Sequence, residues 1–385
     1  MKSLMLNICE CKSDGFCKRY QRDMGGRMRE ICAGTNVDLG TAAAFREQWA
    51  REAGTAVHLN PSTKPIPLLL KTGQAPGDAV AMTAAIYSLH KAHPEKYTTA
   101  VESYWPEVFE HNPNVVAHYL PTEPPTVVPG MSVIEMHYPA IHDSNRRGIH
   151  FMQGWCEFLG SALNITVPLL TNRPHLYFDT PDPPIDMYWL ICSGGKKDFT
   201  NKLWGHDNYQ EVVARLLGNV LFLQVGGAKP TIPWSNTTMG SQDDSHPILD
   251  GAINLVGTTS LRRLFDLVRS SRGVVCGVSL LMHVAAALGK PAVVIAGGRE
   301  PVAWNAYPNQ QYLHTVGALP CSSPQGDIGG ACWRSRTVAL GDGTGLDNDL
   351  CQRPVGNTPE CMTLISPARV VDTILMYNKQ HGKTS

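Results

Sequence analysis

Residues 272–298, RGVVCGVSLLMHVAAALGKPAVVIAGG, constrain the fold more than any other stretch of the chain. The β-branched run at 274–276 suits a buried parallel strand. Gly277, Val278 and Ser279 break the run, and Ser279 is a suitable helix N-cap. Residues 280–288 then read as a strongly apolar helix, stopped by Gly289 before Lys290 and Pro291. A second strand follows at 292–296. Together these make one βαβ unit with its turn at the carboxyl end of a strand. Open α/β sheets bind ligands at such ends, and a helix N-terminus there favours anions. His283 lies one turn into the helix, near that mouth. It reads either as a ligand contact or as a satisfied helix histidine.

Two further strand-loop-helix units follow the same logic. The first is IPLLLK, TGQAPGD and AVAMTAAIYSLHKAHP, in which Asp78 follows Gly77 and opens the helix. A carboxylate there is favoured as an anion by the helix dipole, which also keeps it ready to accept a proton. The second is IDMYWLIC, SGGKKDFTNKLWGHDNY and QEVVARLL. Ser193, Gly194 and Gly195 let backbone amides approach phosphate oxygens, and Lys202 suits a diphosphate. The GxxxxGK[ST] spacing of a P-loop is absent, and no G-x-G-x-x-G follows a predicted strand, which argues against a dinucleotide oxidoreductase. VLFLQVGG is another buried strand, followed by Ala228 and Lys229; residues 253–255 and 260–270 supply a strand and a helix. Arg299, Glu300 and Trp304 would lie over the same sheet edge.

Between the two halves, SYWPEVFEHNPNVVAHYL suggests helix then strand, and VIEMHYPAIHDSNRRGIHFMQGWCEFLG gives strand, polar loop and helix. That loop holds His142, Asp143, Arg146, Arg147 and His150, either to bind anionic groups or as a solvated surface. Residues 174–184, rich in Pro and Asp, read as an interdomain linker, and 367–378 as a final amphipathic helix bracing the first domain.

Hydrophobic residues make up 43% and charged residues 17% of 385 positions, a globular composition that allows two or three domains. Lys+Arg 33 against Asp+Glu 33 leaves no basic footprint for nucleic acid. No transmembrane segment is expected, and the N-terminus lacks a secretory pattern, so a cytoplasmic protein is expected. In that reducing setting, eleven cysteines argue for metal rather than disulfides. Cys9, Cys11, Cys17 and Cys32 lie in a segment with little apolar material, as a metal site or as free thiols. Residues 41–52 look helical. Cys321, Cys332, Cys351 and Cys361 lie in a loop-rich tail, where a structural zinc or iron is the better account. Residues 341–349, GDGTGLDND, resemble a calcium loop only weakly, for want of the terminal Glu.

The blocks, in their order, resemble glycosyltransferase family nine, the heptosyltransferase-like enzymes, in a cysteine-rich divergent branch. His283, Ala285, Ala287, Gly289, Pro291 and Gly297 fit the family's C-terminal signature, while Val278 and Leu280 stand where it has Asp and Gly. Gly77, Asp78 and Thr83 fit the N-terminal signature, and Lys202, Trp204 and Tyr209 the middle one; Lys229 follows a strand where an acidic donor contact is usual. The resemblance spans roughly residues 66–320 and implies a GT-B fold: two Rossmann-like domains facing across a cleft. Expected divisions are an N-terminal Cys-rich extension and helix (1–60), an acceptor-side domain (61–180), a nucleotide-sugar domain (185–320), and a Cys-rich metal-binding tail with a C-terminal helix (321–385). It further implies an inverting transferase with Asp78 as general base and an ADP-heptose or related donor. That donor would lie on Gly77, Ser193, Gly194, Lys202, Lys229, Ser279, His283, Arg299 and Glu300. The acceptor would be a glycan, lipid-glycan or protein, and the chain a possible homo-oligomer. The competing expectation is a non-catalytic nucleotide-sugar-binding or assembly protein of the same fold.

Overall fold

The computed structural model describes the backbone of residues 7–11, 16–22 and 28–36, and residues 64–123, 125, 128–136, 147–227, 246–322 and 330–381. The chain divides into two compact units, 1–64 and 65–385. In the first, β1 (Asn7–Cys11), β2 (Phe16–Arg22) and β3 (Met28–Asn36) form an antiparallel sheet. Its register sets Cys11 opposite Cys17, and Arg19 between Cys9 and Cys32. Sequence reasoning saw only a cysteine-rich module here, because charged residues interrupt the apolar alternation. The side chains of these four cysteines, and the expected helix at 41–52, lie outside the described residues.

Among the described residues, the second unit holds two parallel sheets. The first is built from β4 (Ile66–Thr72), β5 (Tyr97–Ser103), β6 (Val115–Tyr119) and β7 (Ser132–Glu135), in the order β6-β5-β4-β7. Helices α1 (Pro76–Ala92) and α2 (Phe151–Leu163) belong to this lobe. The helix expected before β6 is only a short 3-10 turn, Pro106–Val108. Pro106 and Pro113 leave too few residues between them for a stable helix.

The second sheet has six strands: β8 (Tyr188–Cys192), β9 (Leu221–Gln224), β10 (Ile253–Asn254), β11 (Gly273–Gly277), β12 (Ala292–Gly297) and β13 (Gln310–His314). Their order is β10-β9-β8-β11-β12-β13. The associated helices are α3 (His206–Leu216), α4 (Leu261–Ser270), α5 (Leu280–Ala287) and α6 (Val302–Asn305). The order reverses between β8 and β11 here, and between β4 and β7 in the first sheet. Loops leaving strands at such switch points form the ligand crevice of open α/β sheets.

The tail adds a small hairpin, β14 (Pro354–Val355) and β15 (Thr358–Pro359), then α7 (Glu360–Thr363) and α8 (Pro367–His381). Helix α8 does not brace the first lobe as expected. Val370, Ile374 and Tyr377 are buried with Trp189, Trp204 and Phe222 in the core on one face of the second sheet. That face needs cover beyond α3, and α8 supplies it. The loop at 341–349 is organised around a guanidinium: buried Arg336 donates to Asp342 Oδ1 at 2.9 Å and Oδ2 at 2.7 Å, and to Asp347 Oδ1 at 2.6 Å. An internal cation thus stands where the calcium resemblance would put a metal. Among the described residues no helix is long and apolar enough to cross a membrane.

Candidate active site

The loop after β4 delivers Gly77 and Asp78 to the first turn of α1, beside α5 of the other lobe. A Cβ on Gly77 would meet His283 Cδ2 at 2.9 Å, so only glycine fits. Burial pushes the Asp78 carboxyl up to about 6, against the charges of Lys202 and Lys196, with Glu300 acting alongside burial. The carboxylate of one lobe therefore feels the charged groups of the other.

Lys202 ends a 3-10 turn, Lys197–Lys202, that follows β8. Its Nζ lies 2.7 Å from Glu300 Oε1. Glu300 is buried and also accepts from Arg299 and, at 2.5 Å, from Asn305 Nδ2. Burial opposes its ionisation, but the Lys202 and Arg299 charges hold it below the usual carboxylate range. Arg299 donates through Nε to Arg334 O at 2.8 Å and stacks over Phe199 at 4.8 Å. Lys202 is thereby fixed at one donor and keeps others for an anion.

From β11, Gly277 brings the chain close to Lys202 O, 3.2 Å from a Cβ placed there. Ser279 occupies the N-cap position of α5, but its side chain makes no cap bond. Its Oγ is buried with no hydrogen-bond partner beyond the nearby Cys276 thiol. His283 Nδ1 lies 2.8 Å from Tyr307 Oη, and burial pulls the imidazole down to about 3, so it is neutral. Ser193 Oγ donates to Pro247 O at 3.1 Å and accepts from Gln224 Nε2 at 2.9 Å, so this hydroxyl supports the loop. Gly194 and Gly195 follow it, and a Cβ on Gly195 would sit 3.1 Å from Leu203 Cδ2.

Asp78, Lys202, Glu300, Arg299 and His283 thus come together at the junction of the lobes. Lys229, His142, Asp143 and Arg146 lie outside the described residues. Arg147 is exposed and paired with Glu157. Thr83 is structural: its hydroxyl donates to Val80 O at 2.5 Å and accepts from His175 N at 2.8 Å, latching the interdomain segment to α1. Trp204 is core, donating to Ile365 O at 2.8 Å. Trp304 packs between Phe151 at 5.5 Å and Trp333 at 4.9 Å. Sequence reasoning missed Lys196, Asn305 and Tyr307; only the nearness of NAYP to Glu300 pointed to the last two.

Cys321, Cys332, Cys351 and Cys361 line one pocket with Arg334, Arg353 and Glu360. Burial, and then the neighbouring sulfurs, push the Cys361 thiol up to about 11. The sulfurs share the pocket without closing on a common centre: among the described residues no group of three or more His, Cys, Asp or Glu is arranged to hold a metal. The pocket is joined to the charged cluster by Cys332 N donating to Gly298 O at 3.2 Å and Trp333 N to Arg299 O at 3.0 Å.

Residues 172–326 match the model of glycosyltransferase family 9 (heptosyltransferase). Lipooligosaccharide heptosyltransferase 2 of Haemophilus ducreyi is 32% identical over 96 residues, which span 25% of this chain and 27% of that relative. The fold is similar to that of the iron-containing dodecameric glycosyltransferase TibC from enterotoxigenic E. coli, with TM-score 0.55 and 14% identity over 94% of this chain and 83% of that one. TibC has also been solved in complex with ADP-D-beta-D-heptose, with TM-score 0.56, 15% identity and the same coverage. The E. coli ADP-heptose lps heptosyltransferase II gives TM-score 0.52 and 14% identity, covering 82% of this chain and 99% of its own. The two parallel sheets and their connections are those of the GT-B fold.

Proposed function

We propose that this chain, which carries a family 9 glycosyltransferase domain, moves heptose or a related sugar from a nucleoside diphosphate to an acceptor hydroxyl with inversion. The observation that carries the reading is Asp78, a carboxyl raised to about 6 beside the Lys202 and Lys196 charges of the opposite lobe. An acceptor oxygen attacks the anomeric carbon while Asp78 takes its proton, and the bond from that carbon to the diphosphate breaks. Lys202, the buried Ser279 hydroxyl, whose neighbour is the weak Cys276 thiol, and the amides at the start of α5 stabilise the charge that develops on the departing diphosphate. The TibC complex supports ADP-heptose as the donor; a glycan, lipid-glycan or protein supplies the hydroxyl.

The four tail thiols line one pocket and are a soft donor set of the kind that takes a structural zinc or iron, and binding one would require them to draw together, since as they stand no three described groups are arranged to hold a metal; TibC is iron-containing. TibC is also dodecameric, and a homo-oligomer is part of this reading. So is a cytoplasmic setting, which suits the free thiols. A non-catalytic nucleotide-sugar binder is the second reading, favoured by Val278 and Leu280 at positions where the family pattern has Asp and Gly. Titration with ADP and with adenosine tests the donor site. Lys202→Ala should weaken ADP far more than adenosine; equal losses would remove Lys202 from the diphosphate site.

A further inference from the structure

Tyr307 follows α6 and is 3% exposed, with His150 of the first lobe packed on its ring at 4.8 Å and His283 at 5.7 Å. Its hydroxyl lies 2.8 Å from His283 Nδ1. Burial, and then the nearby Asp78 charge, raise the phenol well above its ordinary value, so it keeps its proton. That proton needs an acceptor. If Nδ1 carried a hydrogen and donated to the phenol, the buried O–H would be left unsatisfied, which buried polar groups rarely are. The phenol therefore donates, Nδ1 accepts, and the single hydrogen of the neutral imidazole sits on Nε2. Nε2 faces the Gly77 turn, 3.5 Å from where a Cβ on that residue would stand.

We propose that Tyr307 is a positioning residue that locks His283 in the Nε2–H form and aims that N–H at the donor diphosphate in the cleft. The proposal rests on the transferase reading for the identity of the ligand. Gly77 belongs to the same device, because any side chain there would push the ring aside. Tyr307→Phe keeps the ring and its packing and removes only the donor. It should lower the rate of ADP release from ADP-heptose about tenfold, because the imidazole loses its anchor as well as its fixed tautomer, and with the ring no longer aimed one buried, charge-directed hydrogen bond goes.

The test is a double-mutant cycle with His283→Gln, whose amide supplies an N–H near the Nε2 position and has no tautomer to set. In that background Tyr307→Phe should change the rate less than about twofold. An equal cost in both backgrounds overturns the proposal, because a purely structural role would not depend on the imidazole. Nitrogen NMR of 15N-histidine-labelled protein, with the His283 signal assigned by its loss in His283→Gln, reads the tautomer directly. The wild type should show Nε2–H and Tyr307→Phe a mixture; Nδ1–H in the wild type overturns the proposal. If the wild type binds ADP but releases none from ADP-heptose, the transferase reading fails, and the NMR result still decides the tautomer.

Discussion

Replacing Asp78 by Asn separates a general base from a helix-start residue. The carboxyl rises from 3.8 to about 6, chiefly through burial. At 1.36 kcal/mol per unit, the folded state gives up at most about 3 kcal/mol to ionise it, less whatever solvent at the mouth recovers. The sign follows from linkage. Below the unfolded value both states are protonated and nothing is lost; as pH rises past the folded value the full penalty appears. Asp78→Asn keeps the shape and cannot ionise. The variant should therefore be more stable than the wild type at pH 8, with the gap closing as pH falls from 6 towards 4. Urea unfolding across that range measures it. Turnover should fall on the order of a hundred- to ten-thousand-fold with ADP affinity little changed, since Lys202, Ser279 and the α5 amides, the proposed diphosphate contacts, lie on the other lobe. A variant less stable at pH 8, or a gap indifferent to pH, would refute the burial argument and make Asp78 structural.

Turnover of the wild type should fall with acid through about pH 6 as Asp78 protonates, and Lys202→Ala should move that limb upward, because the Lys202 charge opposes burial; a kinetic pH profile reads both. Gly77→Ala sets a Cβ against His283 Cδ2 and should cost about 1–3 kcal/mol of stability in a chemical melt, together with turnover. Elemental analysis should give one zinc or iron per chain that is lost in Cys361→Ser; metal-free protein that is folded and active would contradict the tail reading.

Much of the architecture was legible because parallel strands buried on both faces read as continuous β-branched runs, as at 274–276 and 292–296. Asp78 and Lys202 were legible because Gly-bearing turns mark strand ends. Ser279 was placed correctly at its helix start, but the side-chain cap expected of it does not form, since the turn withholds its hydroxyl from the helix. Tyr307 was illegible because its partner lies 24 residues away on another element. Helix α8 was misassigned because amphipathicity shows that a helix packs and not which sheet it covers. The pseudo-calcium loop was ambiguous because Arg336, the cation that its carboxylates hold, precedes it in sequence.

The central claim is glycosyl transfer from a nucleoside diphosphate, and its most direct measurement is ADP release from ADP-heptose by wild type and Asp78→Asn. The expected result is slow release by the wild type even without acceptor, water taking the acceptor's place, and its near-complete loss in the variant at unchanged ADP affinity. Tight binding of ADP-heptose with no release by the wild type, with or without candidate acceptors, would contradict it and leave a nucleotide-sugar-binding protein.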